Sequence, residues 1–164
     1  MAVAACGNDT GTGDDMPAID APPGPFDVGV QCTSGTHWKL GEQRSPLMQP
    51  GVACNACHEL KFDAPRFAIA GTIYTTGHEP DMCNGAAGAT ITITDAAGMT
   101  LALSSNTAGN FYSELGVAVT FPIRARVDVG GQTRVMADAV MSGDCNSCHT
   151  QDGTQRAPGR IVLP

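Results

Sequence analysis

Positive charge is what this chain has least of. Nine Lys and Arg stand against 16 Asp and Glu, a formal charge of −7 at neutral pH. The clustered basic residues that displace counterions from a nucleic acid are not there, which excludes that class of partner. An acidic surface instead steers positively charged proteins towards it. Aromatic residues make up only 5% of the chain and charged ones 15%. Gly, Ala, Thr, Ser and Pro fill the difference, a balance that suits strands and turns more than helices. No run approaches the ~18 consecutive apolar residues that span a bilayer. A length of 164 residues leaves room for one ordinary domain with short appendages.

Histidine is scarce too, and that makes its placement informative. Two of the four histidines close five-residue words of the same form, Cys54-Asn-Ala-Cys57-His58 and Cys145-Asn-Ser-Cys148-His149. Both read C-x-x-C-H, the attachment signature of a c-type haem. Two thiols at this spacing add across the two vinyl groups, and the adjacent histidine is delivered to the iron as proximal ligand. The expectation is two c-type haems, bound covalently at Cys54/Cys57 and Cys145/Cys148 and ligated by His58 and His149. The competing reading is a zinc site made from the two C-x-x-C pairs. Zinc pairs usually stand about 15–20 residues apart, and zinc chemistry does not ask for a histidine after each. A thioredoxin-like dithiol lacks the surrounding βαβ pattern.

The words leave Cys6, Cys32 and Cys83. In an oxidising compartment two of these can pair, and Cys32 with Cys83 is the expected pair because both lie in the ordered part of the chain. Cys6 follows small residues in MAVAACG, which resembles the cleavage site of a bacterial lipoprotein signal and makes Cys6 a lipidation candidate, although the charged start and apolar stretch of a signal peptide do not precede it. Residues 1–27 are acidic and rich in Gly and Pro, with little to bury, and read as a disordered tether. Residues 28–66 form a loop-rich first haem-binding segment in which only the stretch around Cys54–Lys61 suits a helical turn.

Over 67–141 the pattern changes to short alternating runs: FAIAGTIY, ATITITD, MTLALSS, NFYSE, VTFPIRARVDV and TRVMAD. These predict six strands of a mainly β fold, a β-sandwich, with a hairpin turning at Asp95–Gly98. GTIY, GATITITDAAG and NTAGNFYSE give this segment a resemblance to immunoglobulin-like modules of the carboxypeptidase-regulatory or prealbumin-like kind, a fold type that hosts many functions. Residues 142–164 carry the second word and an irregular tail.

Two irons need two distal ligands. His37 and His78 are the histidines left, and the count closes as two bis-histidine haems of low potential. Met48, beside the first word, and Met136, at the end of the last strand, are alternatives that would raise the potential. His37 also reads as an exposed loop residue, and each methionine as simple packing. SGTHW, SPLMQPGVACNACH, AGTIYTTGHEPDMCNGAAGA and SGDCNSCHTQDGTQRAPGRI, in that order, resemble the secreted dihaem cytochromes c of environmental Gram-negative bacteria that carry a β-sandwich between their haem sites. The resemblance covers about four fifths of the chain. It implies the covalent and proximal assignments above, makes His78 a distal ligand, and leaves the other distal position among Met48, Met136 and His37.

The geometry raises an objection. Six alternating strands place both words at one end of the sandwich and His78 at the other, a strand of about seven residues spanning roughly 23 Å. Either the Cys54–Pro65 segment folds back, or the strand count is wrong, or His78 ligates a haem of a neighbouring copy.

The function expected from the sequence is electron transfer by an exported protein, in the periplasm, on the outer membrane or at the cell surface of a Gram-negative bacterium. Its partners would be other redox proteins, cytochromes first among them; membrane contact would come only through a lipid at Cys6, and association with further copies would run through haem stacking or ligation. Two rivals remain: a haem enzyme or sensor with one open iron position, and a zinc-stapled adhesion module. The first lacks a distal Arg/His pair beside either word.

Overall fold

Strand formation follows the alternation of apolar and polar side chains. The computed structural model describes residues 32–39, 44–61 and 63–164. The expected tether over 1–27 and the lipidation candidate Cys6 lie outside them. In Thr90–Thr94 (β2) the two isoleucines, Ile91 and Ile93, are buried and the terminal threonines exposed. β2 pairs antiparallel with Thr100–Ser104 (β3), Ile91 facing Leu103 and Ile93 facing Leu101. The turn between them is held by Asp95, whose carboxylate accepts the N–H groups of Ala97 and Met99 at 2.9 and 2.8 Å, while Gly98 takes the positive φ of 79° that the turn requires.

Ala70–Tyr74 (β1) is buried throughout, because both of its faces are covered. Asn110–Tyr112 (β4) borders it antiparallel. The remaining strands are Arg124–Val129 (β5), Gln132–Val135 (β6) and Ile161–Val162 (β7). They form two sheets, of order β4-β1-β7 and β3-β2-β5-β6. One apolar cluster joins them: Ile69, Ile73 and Phe111 from the first, Ile91, Ile93, Leu103 and Val127 from the second. Burial of each such side chain contributes about 1.5–3 kcal/mol. The chain is mainly β, a two-sheet sandwich, and the six expected strands are present.

The seventh strand departs from the expected irregular tail. β7 pairs parallel with β1, Ile73 facing Ile161 and Tyr74 facing Val162. Just upstream, Asp144 makes a parallel bridge to Ala70. Residues 145–160 are therefore an excursion from a broken strand that runs beside β1 from its start to its end.

Candidate functional site

The first word forms the one α-helix among the described residues, Cys54–Glu59 (α1). A helix this short is marginal by itself, with the N–H groups of its first turn unsatisfied. Its cap position, Ala53, supplies no side-chain bond. The acceptor comes from the second word instead. Asp144, directly before Cys145, takes the N–H groups of Cys54, Asn55 and Ala56 at 3.0, 2.9 and 3.3 Å.

Asn146, 1% exposed, adds to this join. Its amide donates to the carbonyl of Val52 and to Thr72 Oγ1, both at 3.0 Å, and lies 3.9 Å from Cys54 Sγ. Its oxygen accepts the N–H of Thr72 at 3.0 Å. The two words are thus packed against one another over β1. The second is a short 3-10 turn, Cys145–Ser147.

His58 is buried on α1 and wedged by its neighbours. Nδ1 is hydrogen-bonded to the carbonyl of Pro65, which fixes the ring and leaves Nε2 with a lone pair. Nε2 lies 3.2 Å from the sulfur of Met48. Phe67 packs on the ring at a centroid distance of 5.6 Å, and Tyr112 packs on Phe67 at 4.8 Å. A crevice lined by Met48, Cys54, Phe67, Phe111 and Tyr112 opens beside them.

His149 repeats the arrangement. Its Nδ1 donates to the carbonyl of Gly159 at 2.8 Å, and burial pushes its pKa below the ordinary range, against a smaller opposing effect of that bond. The imidazole is neutral at neutral pH, as a metal ligand must be. His78, in the loop after β1, donates from Nδ1 to the carbonyl of Gln151 at 2.8 Å.

The other proposed ligands lie elsewhere. Both ring nitrogens of His37 face Cys32 Sγ, at 3.3 and 3.7 Å, and Cys32 is joined to Cys83 in a disulfide with a Cα separation of 5.2 Å. Met136 continues the edge of the four-stranded sheet, its N–H bonded to Ala125.

The cysteines of the words are not equivalent. Cys54, Cys145 and Cys148 are free thiols. Burial, with Asp144 as the next contributor, pushes the Cys54 thiol far above its ordinary pKa and that of Cys145 up to about 12. Cys57 is held in a disulfide, so the thioether expected at that sulfur would form only after reduction.

Among the described residues, the group whose donor atoms converge closely enough for an ion is Cys32, His37 and Cys83, and two of its sulfurs are bonded to each other. The four cysteines of the words are not such a group. Zinc would require deprotonated sulfurs beside the Asp144 carboxylate, whereas thioethers leave neutral sulfur in a buried place.

The residues suit haem on these grounds: two imidazoles anchored through Nδ1 and protonated thiols at Cys54 and Cys145. Tyr74 Oη, buried over Gly51, has no hydrogen-bond partner among the described residues.

Arg160 was not singled out by the sequence. Its side chain is 1% exposed, and its guanidinium donates to the carbonyls of Glu79, Gly51 and His149 at 2.7, 3.0 and 3.3 Å and pairs with Asp81. An arginine in a Gly- and Pro-containing tail reads as solvated; only its neighbours in space reveal it. Compared with known proteins, the chain matches no family model, no curated protein and no solved structure.

Proposed function

We propose that this chain is an exported electron-transfer protein that carries two c-type haems. The observation that carries the reading is the repetition at two C-x-x-C-H words of a histidine whose Nδ1 is spent on a backbone carbonyl, Pro65 at one and Gly159 at the other. Such a bond fixes ring orientation and raises the donor strength of Nε2. Bound haem would supply the one-electron iron couple.

Cys54, Cys57, Cys145 and Cys148 would hold it as thioethers. His58 and His149 would be the proximal donors. Met48, 3.2 Å from His58 Nε2, is the distal candidate at the first word, and His78 at the second. Unlike sixth ligands imply unlike potentials, methionine giving the higher. Export is supported by the Cys32–Cys83 disulfide, since such bonds persist in oxidising compartments. The net charge of −7 suits redox partners with a basic docking face.

The test is expression with export and the cytochrome c maturation machinery, followed by mass spectrometry, absorption and electron paramagnetic resonance spectroscopy. Two covalent haems per chain, both low-spin and unreactive to carbon monoxide, are expected. A chain that takes up no covalent haem would overturn the reading, and one high-spin, ligand-binding haem would make the protein an enzyme or sensor.

A further inference from the structure

The excursion between Asp144 and β7 touches both His78 and His149, and two consecutive residues make the contacts. Gly159 accepts the Nδ1 proton of His149 through its carbonyl. At φ 148° a side chain there would collide with the carbonyl oxygen of Gly77, and its Cβ would lie 3.4 Å from His78 Cε1. The main chain can pass this close to the Gly77 carbonyl, directly before His78, only as glycine.

Arg160 holds the residues on either side of His78. Its backbone N–H donates to Gly77 at 2.8 Å and its Nε to the carbonyl of Glu79 at 2.7 Å. The same guanidinium donates to the carbonyl of His149. His78 itself is oriented by Gln151, within the same excursion. Each imidazole therefore spends Nδ1 on this stretch and keeps Nε2. A buried guanidinium is costly to desolvate and persists only where its hydrogen bonds are made. Here they are made to the carbonyls of Glu79 and His149, to that of Gly51 before the first word, and to the Asp81 carboxylate.

We propose that Gly159 and Arg160 are positioning residues that present His78 and His149 as a pair of imidazole donors to one iron. The proposal rests on the haem reading for the identity of that iron. The pairing itself is a property of the polypeptide and can be tested without it.

In the chain without cofactor, nitrogen-15 spectra of the imidazoles should place the proton of both His78 and His149 on Nδ1. Gly159→Ala should disturb both rings and leave His58 unchanged. In the loaded protein, Gly159→Ala, Arg160→Gln and His78→Ala should each retain two covalent haems by mass spectrometry while half of the haem becomes high-spin and binds carbon monoxide. Adding Arg160→Gln to His78→Ala should produce no further spectral change.

Variants that melt at lower temperature but keep both haems low-spin would make Gly159 and Arg160 merely structural and overturn the proposal. If Arg160→Gln does not fold, Gly159→Ala and His78→Ala still decide it. Failure of the wild type to take up haem would refute the haem reading alone, because the imidazole spectra of the cofactor-free chain report on the pairing separately.

Discussion

The two words have the same five-residue form and sit in different surroundings. The first is a helix capped from a distance by Asp144, with its histidine facing a methionine sulfur. The second is a 3-10 turn set into a broken strand, with its histidine tied to the Gly159 carbonyl near His78. On the haem reading proposed above, the motif would dictate the proximal side and the rest of the fold the distal side, so that one motif used twice would give two unlike centres.

The largest contrast to test is thiol reactivity, since thiolate is the nucleophile. An ordinary thiol has a pKa of about 8.5, whereas that of Cys145 is pushed up to about 12. In the cofactor-free protein at pH 8, alkylation of Cys145 should be on the order of a thousandfold slower than that of a small-molecule thiol. Cys54 should be at least as slow. The rate should rise about tenfold per pH unit towards 12. Mass spectrometry of alkylated peptides reads this directly, and fast labelling at pH 8 would mean that the words are open to solvent.

Asp144 comes next. Asp144→Ala leaves three N–H groups of α1 without their acceptor and should cost roughly 2–4 kcal/mol, read from the denaturant midpoint. Asp144→Asn keeps an acceptor oxygen and should cost less. Equal effects from the two would rule out capping as the cause.

Met48→His should make the two centres alike. Axial ligands and their surroundings spread haem potentials over about 0.8 V, so the first haem should fall on the order of 0.1 V towards the second in a spectroelectrochemical titration. An unchanged titration curve would remove Met48 from the coordination sphere. The smallest effect belongs to Phe67→Ala, which removes a half-buried ring between His58 and Tyr112 and should cost roughly 1–2 kcal/mol, less than a fully buried phenylalanine. Thermal melts of the cofactor-free chain measure it.

What the sequence revealed depended on how local the determinant was. β2 and β3 were legible because Ile91, Ile93 and Leu103 recur at the period of a strand and Asp95–Gly98 is turn chemistry written in four residues. The helical turn at the first word was legible for the same reason. β7 was not, since two residues carry no periodicity and the partner strand supplies the order. Asp144 and Arg160 were not, because each acts on backbone groups far away in the chain. The expected separation of His78 from the second word came from the same blind spot: once the second word runs alongside β1, the chain itself carries His149 towards the loop after that strand.

The broken strand beside β1 has a consequence for engineering and for divergence. Asp144 and Ile161 are fixed points in the register of one strand, and what lies between them is a cassette. Gln151 contributes only its carbonyl to His78, so the side chain at that position is free to vary. A longer or different segment could be spliced there, keeping Asp144, the second word, Gly159 and Arg160, without moving any pairing in either sheet. The sandwich would then serve as a chassis on which the surroundings of the second word are altered by exchanging a loop.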